Sequence, residues 1–478
     1  MAVHPQAPVA PGRVLSTLNE DGSRRWLRPR PSRGGWWQKR RVVAWLLMVV
    51  FLVLPYVKVA GRPALLLDLP KREFLMFGAR FLATDTVLFM LLMISTLIGI
   101  FLVTALFGRV WCGWGCPQTV YMEFLFRPIE YAIEGGPRGV QALDQRGGIA
   151  PRRVLKFAVF VLLSLVLAHT FLSYFVGVET LAVWVRRSPI EHPTSFLVML
   201  GTTAAVFLDF AWFREQTCLV ACPYGRLQSV LLDRKSLIVG YDGGRGEPRM
   251  KGGARQLPVI AGDCVDCRMC VQTCPTGIDI RDGLQMECLH CTQCMDACDR
   301  VMGKIGRPPG LIRYGSRDGF ERRSNTMRRT RVIVYPLVLL VTGGLFLGAL
   351  LTRRDLDVTV LRGPGAPYTL RDDGRLQHQV RIKLVNRARV AREVHIELAG
   401  AEDSELIAPM QHFPVAAEAM ATTTVFVLTP PHGFHEGRRR IAFELSDGKG
   451  WHERQEFELL GPEEEDEPGE GGGEGAKR

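Results

Sequence analysis

Eight cysteines in two runs constrain this chain more tightly than anything else in it. Residues 264 to 298 read CVDCRMCVQTCPTGIDIRDGLQMECLHCTQCMDAC. Cys264, Cys267, Cys270 and Cys274 follow the spacing C-x2-C-x2-C-x3-C with Pro275 next, and Cys288, Cys291, Cys294 and Cys298 repeat it 24 residues later. Soft thiolates suit iron–sulfur clusters. A tight loop can present three of them to one cubane while the fourth comes from elsewhere. Two such runs in one chain mark two [4Fe–4S] clusters that exchange their fourth ligand. The spacing therefore assigns Cys264, Cys267, Cys270 and Cys298 to one cluster, and Cys288, Cys291, Cys294 and Cys274 to the other. Zinc knuckles rarely use three such steps in a row. Asp299 stands where the second run would usually have proline, which weakens the turn signal there and removes no ligand.

The remaining cysteines are also grouped: Cys112 with Cys116, and Cys218 with Cys222, with none in the last 180 residues. A secreted domain often uses disulfides, so the C-terminal part forms none, and the cysteines read as metal or redox ligands on a reducing face. At 478 residues the chain is long enough for several domains. Its net charge of +12 could point to nucleic acid. The basic residues, however, flank apolar runs, a membrane-topology pattern, and no nucleic-acid motif accompanies them.

Five apolar stretches are long enough to cross a bilayer: residues 42–57, 85–107, 154–176, 194–213 and 332–352, the first being the shortest at its core. Lys and Arg number nine in the N-terminal tail, six between spans two and three, and twenty in residues 214 to 331, against five in loop 58–84 and two in loop 177–193. The excess sets the N-terminus, both C-x3-C pairs and the cluster domain on the cytoplasmic side. Five spans then put the C-terminus outside, although Arg353 and Arg354 lean the other way. Residues 1–41 read as a disordered basic tail, too long and polar at the start for a cleaved signal peptide. Loop 58–84 reads as an interfacial segment. Residues 214–262 carry the second cysteine pair and a Gly-rich basic linker, 263–302 the cluster domain, and 303–331 a basic exit linker along an anionic lipid surface. From 355 to 460 the apolar period falls to two: Val380, Ile382 and Leu384, then Val394, Ile396 and Leu398, Val425 with Val427, Ile441 with Phe443 and Leu445, and Phe457 with Leu459. Short strands of this kind predict a β-sandwich, followed by an acidic disordered tail at 461–478.

The four other cysteines sit in RVWCGWGCPQ and QTCLVACPYGR, each C-x3-C-P, offset by 106 residues. The repeat predicts a duplicated helical hairpin carrying thiol pairs at the membrane surface. The residue before proline avoids the right-handed helical region and proline suits a helix's first turn, so each pair belongs on a turn that opens a helix. Thiols placed there have depressed pKa values. Cys112, Cys116, Cys218 and Cys222 could bind a soft ion such as Cu(I), exchange electrons as dithiols, or together ligate a third cluster. His169 is the only histidine in an expected span, too few for a transmembrane haem wire with two axial histidines. His290 reads as a donor to a cluster ligand or an exposed residue rather than a ligand. Met410, His412, His432 and His435 read as scattered surface residues.

Taken together, the basic tail, the spans each followed by C-x3-C-P, the two-cluster insert, the last span and the β-sandwich resemble the cytochrome c oxidase accessory proteins called FixG, RdxA or CcoG. WCGWGCPQT at 111–119, CLVACPYGR at 218–226 and the cysteine runs of 264–298 carry the likeness, which extends over the chain outside its two tails. It implies a multi-domain membrane protein: an α-helical region of about five spans, a two-cluster ferredoxin-like α+β insert and a C-terminal immunoglobulin-like β-sandwich in the periplasm. It also implies residence in a bacterial inner membrane and a part in maturing the cbb-type oxidase. The activity implied is cupric reduction, Cu(II) to Cu(I), with an unknown cytoplasmic electron donor and with a copper chaperone or transporter and oxidase subunits as partners. The eight ferredoxin cysteines would store electrons, and Cys112, Cys116, Cys218 and Cys222 would be the copper-handling thiols. Two other classes stay open: an electron-transfer subunit for an oxidoreductase of the nitrous-oxide or nitrate type, and a redox-sensing assembly scaffold.

Overall fold

The computed structural model describes residues 15–19, 21, 23–69, 73–82, 85–147, 150–249, 262–322, 330–410 and 412–462. Residues 250–261 and 323–329 of the two expected linkers and 463–478 of the acidic tail lie outside them. The chain forms two units, one ending at Gly348 and one beginning at Ala349.

In the first unit four described helices are long and apolar enough to cross a membrane: Thr86–Phe107, Pro151–Val176, Pro193–Phe213 and Thr330–Leu351. A helix rises ~1.5 Å per residue, so each reaches the ~30 Å of a hydrocarbon core. Two of them open on proline, which loses nothing in a first turn, and two stop at Gly108 and Gly177, whose φ values of 59° and 84° break the helix. Their outward residues are large and apolar, Met93, Leu197 and Leu340 among them. The Ser95 and Thr342 hydroxyls meet at 3.0 Å and tie the first of these helices to the last.

The first expected crossing is a helix, Gly35–Val53, but it is not among those four. It begins seven residues earlier than the apolar run because the Asp296 carboxylate accepts the backbone N–H groups of Trp36 and Trp37, at 3.1 and 2.7 Å. An acceptor at a helix start is worth about 1 kcal/mol. The lead-in contains Lys39, Arg40 and Arg41, leaving an apolar run of only about 18 Å by the helical rise. Loop 58–84 folds as three antiparallel strands, Leu65–Asp68, Glu73–Met76 and Ala79–Leu82.

The N-terminal segment differs from expectation. Its described residues 15–34 lie on the cysteine-rich domain instead of trailing free. Arg30 N–H donates to Gln272 O at 2.9 Å, Thr273 Oγ1 donates to Arg30 O, and Ser16 Oγ donates to Thr276 O at 2.6 Å. Specific backbone pairing overrides the composition that suggested disorder.

Ion pairs are buried at the base of the helices. Arg214 donates to both oxygens of Glu130 at 3.0 and 2.9 Å, Lys156 pairs with Glu134 at 2.8 Å, and Arg127 lies between Glu123 and Glu215. Arg28 of the N-terminal segment joins them. Above this layer Met48, Phe126, Phe160 and Phe210 form an apolar core, with Phe126 stacked on Phe210 at 4.3 Å.

The second unit is a two-sheet sandwich. One sheet orders Glu405–Ile407, Met420–Thr429, Leu376–Asn386 and Leu356–Arg362; the other orders His412–Val415, Arg392–Ala399, Arg438–Ser446 and His452–Leu460. Every apolar residue of the period-two pattern belongs to its core, Leu398 and Phe457 at the margin.

Candidate functional site

The two cysteine runs fold as matching loops. Asp266 and Arg268 adopt positive φ, and so do His290 and Thr292 at the same two places of the second run. Left-handed backbone at non-glycine residues costs roughly 1–3 kcal/mol each and concentrates at functional sites. Here it curls the chain so that three sulfurs face inward. The helix Met269–Thr273 then carries Cys270 and ends at Cys274, while Gln293–Lys304 carries both Cys294 and Cys298.

Two cavities result, with about 340 and 360 Å³ of atom-free space. Cys264, Cys267, Cys270 and Cys298 line the first, beside Arg281 and Tyr241. Cys274, Cys288, Cys291 and Cys294 line the second, which Cys270 also borders. Each cavity thus draws its fourth thiol from the opposite run. Burial pushes the Cys288 and Cys298 thiols up to about 12 and Cys291 to about 11. Thiols held this way ionise only when a metal compensates the charge. Burial also raises Cys274, opposed by the hydroxyl of Thr276 and the backbone N–H groups of Thr276, Gly277 and Ile278 aimed at its sulfur. Four thiols around each largely apolar space, with the Arg281 cation beside the first and N–H donors at Cys274 in the second to meet negative charge, fit a [4Fe–4S] cluster. The Asp299 carboxylate, where proline was expected, accepts the Gly310 N–H at 2.7 Å and so braces the chain leaving the domain.

The two C-x3-C-P segments converge on the second cavity. Cys116 and Cys222 both have extended backbone, and the prolines after them open the helices Pro117–Tyr121 and Pro223–Leu231. The repeat shows in the backbone as well. Gly108 (φ 59°, ψ −129°) and Arg214 (φ 53°, ψ −119°) stand 106 residues apart in the same unusual conformation. The two pairs lie near each other, and Cys112, Cys116 and Cys218 each feel neighbouring thiols of the four. Cys112 and Cys218 pack against Leu289 and Cys291. The depressed pKa expected of these thiols is not what the structure gives. Burial raises Cys112 to about 11, against the pull of the Arg109 guanidinium, and raises Cys116 and Cys218 too. Desolvation outweighs the two N–H groups, of Gln118 and Thr119, that meet the Cys116 sulfur.

Two arginines that the sequence reading missed hold this junction. Arg40, fully buried, donates from Nε to Gly113 O at 2.9 Å and from Nη1 to Cys291 O at 2.6 Å. Arg109 donates from Nη2 to Gly225 O at 2.9 Å and from Nη1 to Cys288 O at 3.2 Å, while its backbone N–H donates to His290 Nδ1. Arg109 had one sequence signal, its place in RVWCGWGCPQ; Arg40, in the basic run QKRR, had none. Gly113 is required by close approach, since a Cβ there would meet His290 O at 2.6 Å. His290 itself is fully buried, lines the second cavity and is kept neutral by burial and by Arg109, its pKa falling to about 3. With Nδ1 accepting, its proton sits on Nε2, which has no partner among the described residues.

The other residues singled out in sequence stay apart. His169 bonds Leu165 O within its own helix. The His395 and His412 rings lie 5.0 Å apart across two strands. Among the described residues no three His, Cys, Asp or Glu side chains come close enough to hold a single metal ion, in the sandwich or elsewhere.

Comparison with known proteins gives three family matches: "4Fe-4S dicluster domain" over residues 213–317, "4Fe-4S binding domain" over 89–133, and "IG-like fold at C-terminal of FixG" over 346–462. Protein RdxA of Cereibacter sphaeroides is 34% identical over 414 residues, covering 81% of this chain and 86% of its own. Nitrogen fixation protein FixG of Rhizobium meliloti is 30% identical over 503 residues, covering 93% and 94%. The crystal structure of a FixG-related protein from Vibrio parahaemolyticus aligns with 23% of this chain and 97% of its own at 16% identity and a TM-score of 0.21.

Proposed function

The chain belongs to the FixG/RdxA family of membrane iron–sulfur electron-transfer proteins, and from that footing we propose that it reduces Cu(II) to Cu(I) at the cytoplasmic face of a bacterial inner membrane, in support of cbb-type oxidase assembly. One observation carries the reading: three thiol groups stand in an unbroken series. Cys270 borders both ferredoxin cavities, and Leu289 with Cys291 packs on Cys112. In this reading Cys264, Cys267, Cys270 and Cys298 hold one cluster, and Cys274, Cys288, Cys291 and Cys294 the other. When bound, such clusters supply one-electron carriage. The residues around them exclude water, fix the second loop against the C-x3-C segments through Arg40 and Arg109, and place the quartet where the chain meets the bilayer. Cu(II), the substrate, accepts one electron and leaves as Cu(I), each electron being drawn from a cytoplasmic reductant. The excess of Lys and Arg supports a cytoplasmic site. The last span would then carry the sandwich to the periplasm, where oxidase subunits are available to it.

The test uses purified full-length protein, reduced anaerobically, freed of reductant and mixed with Cu(II) and a Cu(I)-specific chelator. The expected result is Cu(I) complex in proportion to the reduced centres. Reoxidation without any Cu(I) complex would leave an electron carrier for a partner oxidoreductase as the reading.

A further inference from the structure

We infer that Cys112, Cys116, Cys218 and Cys222 together hold a third iron–sulfur cluster of the [4Fe–4S] class, one thiolate to each iron. The inference rests on reading the eight ferredoxin cysteines as cluster ligands, but not on copper being the acceptor.

The quartet is assembled from two half-sites of one design. Each offers a C-x3-C pair, an extended second cysteine and a proline-opened helix, and the residues Gly108 and Arg214 that precede the pairs share one backbone conformation. A match to a 4Fe–4S binding family over residues 89–133 takes in only Cys112 and Cys116. The fold completes the set by packing Cys218, with its partner Cys222 four residues on, beside Cys112.

The packing sets the quartet beside the ferredoxin ligands, with Cys112 and Cys218 against Leu289 and Cys291. The buried Cys112, Cys116 and Cys218 each feel neighbouring thiols of the quartet, as Cys288, Cys291 and Cys294 do around the second cavity. Four thiols on two matched half-sites supply the ligand number of a cubane.

The surroundings also match those of the second cavity. Gln118 and Thr119 turn N–H groups to the Cys116 sulfur, as Thr276, Gly277 and Ile278 do to Cys274. The buried Arg109 guanidinium stands by Cys112 as Arg281 stands by Cys270. Gln228 Oε1 lies 3.0 Å from the Cys112 sulfur and accepts its proton in the thiol state, so deprotonation on cluster assembly releases that carboxamide. Copper, as substrate, would then meet a fixed electron donor instead of being held by these four thiols.

The experiment is iron and acid-labile sulfide analysis with Mössbauer spectroscopy on anaerobically prepared full-length protein. Wild type should carry about twelve irons in three cubane environments, and a variant with all four quartet cysteines changed to Ser about eight. Wild type with about eight irons and two environments would overturn the inference without recourse to any variant. So would copper bound to wild type and lost from the Ser variant at constant iron. Should the quadruple variant fail to fold, Cys222→Ser alone must still alter one of three Mössbauer components and leave two untouched. Twelve irons with no Cu(I) produced would retain this inference and reject the copper reading.

Discussion

At the scale of single residues, His290 shows what a buried polar atom implies. The ring is wedged between the second cavity and Arg109, neutral, with its Nε2 proton lacking an acceptor among the described residues. A buried donor left unpaired costs ~1–3 kcal/mol, and a cluster sulfur in the cavity it lines would remove that cost. Hydrogen bonds to cluster sulfurs raise the reduction potential because they favour the more negative, reduced state. His290→Ala should therefore lower the midpoint of one cluster and spare the others. A bond worth about 1 kcal/mol corresponds to about 40 mV in a one-electron couple. Potentiometric titration followed by electron paramagnetic resonance reads the shift; an unchanged midpoint with intact iron content would show that Nε2 faces no cluster. The sequence singled out this histidine but not what it does, because the Arg109 contact that fixes its tautomer joins positions 181 apart.

Among elements, the buried charges around Glu130 bind four separate stretches: Arg28 from the N-terminal segment, Glu130 from the helix after Cys116, Lys156 from one membrane helix and Arg214 from the turn ending another. Burial pushes the Glu130 carboxyl up, but Arg214, Arg28 and Lys156 more than reverse it and hold its pKa near about 2. Below its ordinary value of about 4.5 the unfolded chain takes the proton first. The stabilisation is therefore complete above that value and fades as pH falls toward 2. Glu130→Gln should cost roughly 3–5 kcal/mol at neutral pH, since it leaves buried cations undercompensated, and should flatten the loss of stability between pH 4.5 and 2. Thermal unfolding in detergent, followed by tryptophan fluorescence, measures both. Nothing in the local sequence predicts this layer. The apolar helices and the ferredoxin loops were legible because their signals, twenty apolar residues or a cysteine every third position, are local. The sandwich was legible for the same reason, its period of two holding from Val380 to Leu459. The packing of residues 15–34 on the cysteine-rich domain was not, because its partners lie some 240 to 270 positions away.

For the whole molecule, connectivity makes a prediction where hydropathy leaves the number of crossings open. The N-terminal segment, the two C-x3-C segments and the ferredoxin loops are hydrogen-bonded together through Arg30, Arg40 and Arg109, so they occupy one side of any bilayer. Lys58 pairs with Glu179 at 2.6 Å, just beyond the far end of Pro151–Val176, and the Tyr174 hydroxyl donates to Phe51 O near that same end. With Pro151–Val176 crossing the bilayer, Arg40 and Lys58 are expected on opposite sides, and Gly35–Val53 is the element predicted to cross between them. Its shortage of apolar length is eased because Arg40 is hydrogen-bonded to two carbonyls and the Lys39 ammonium folds back over Trp36 at 4.7 Å. A short span is tolerated by local thinning and snorkelling of its flanking residues. The prediction is therefore five crossings, against the four that length and composition select, with the ferredoxin cavities on the side of the N-terminus. Reporter fusions in cells check this. An alkaline phosphatase fused after Gly78 or Glu191 should be active, while a fluorescent protein fused after Gly147 or Gly244 should fluoresce. Fluorescence from the Gly78 fusion would put the three-stranded sheet beside the clusters and remove Gly35–Val53 from the spans.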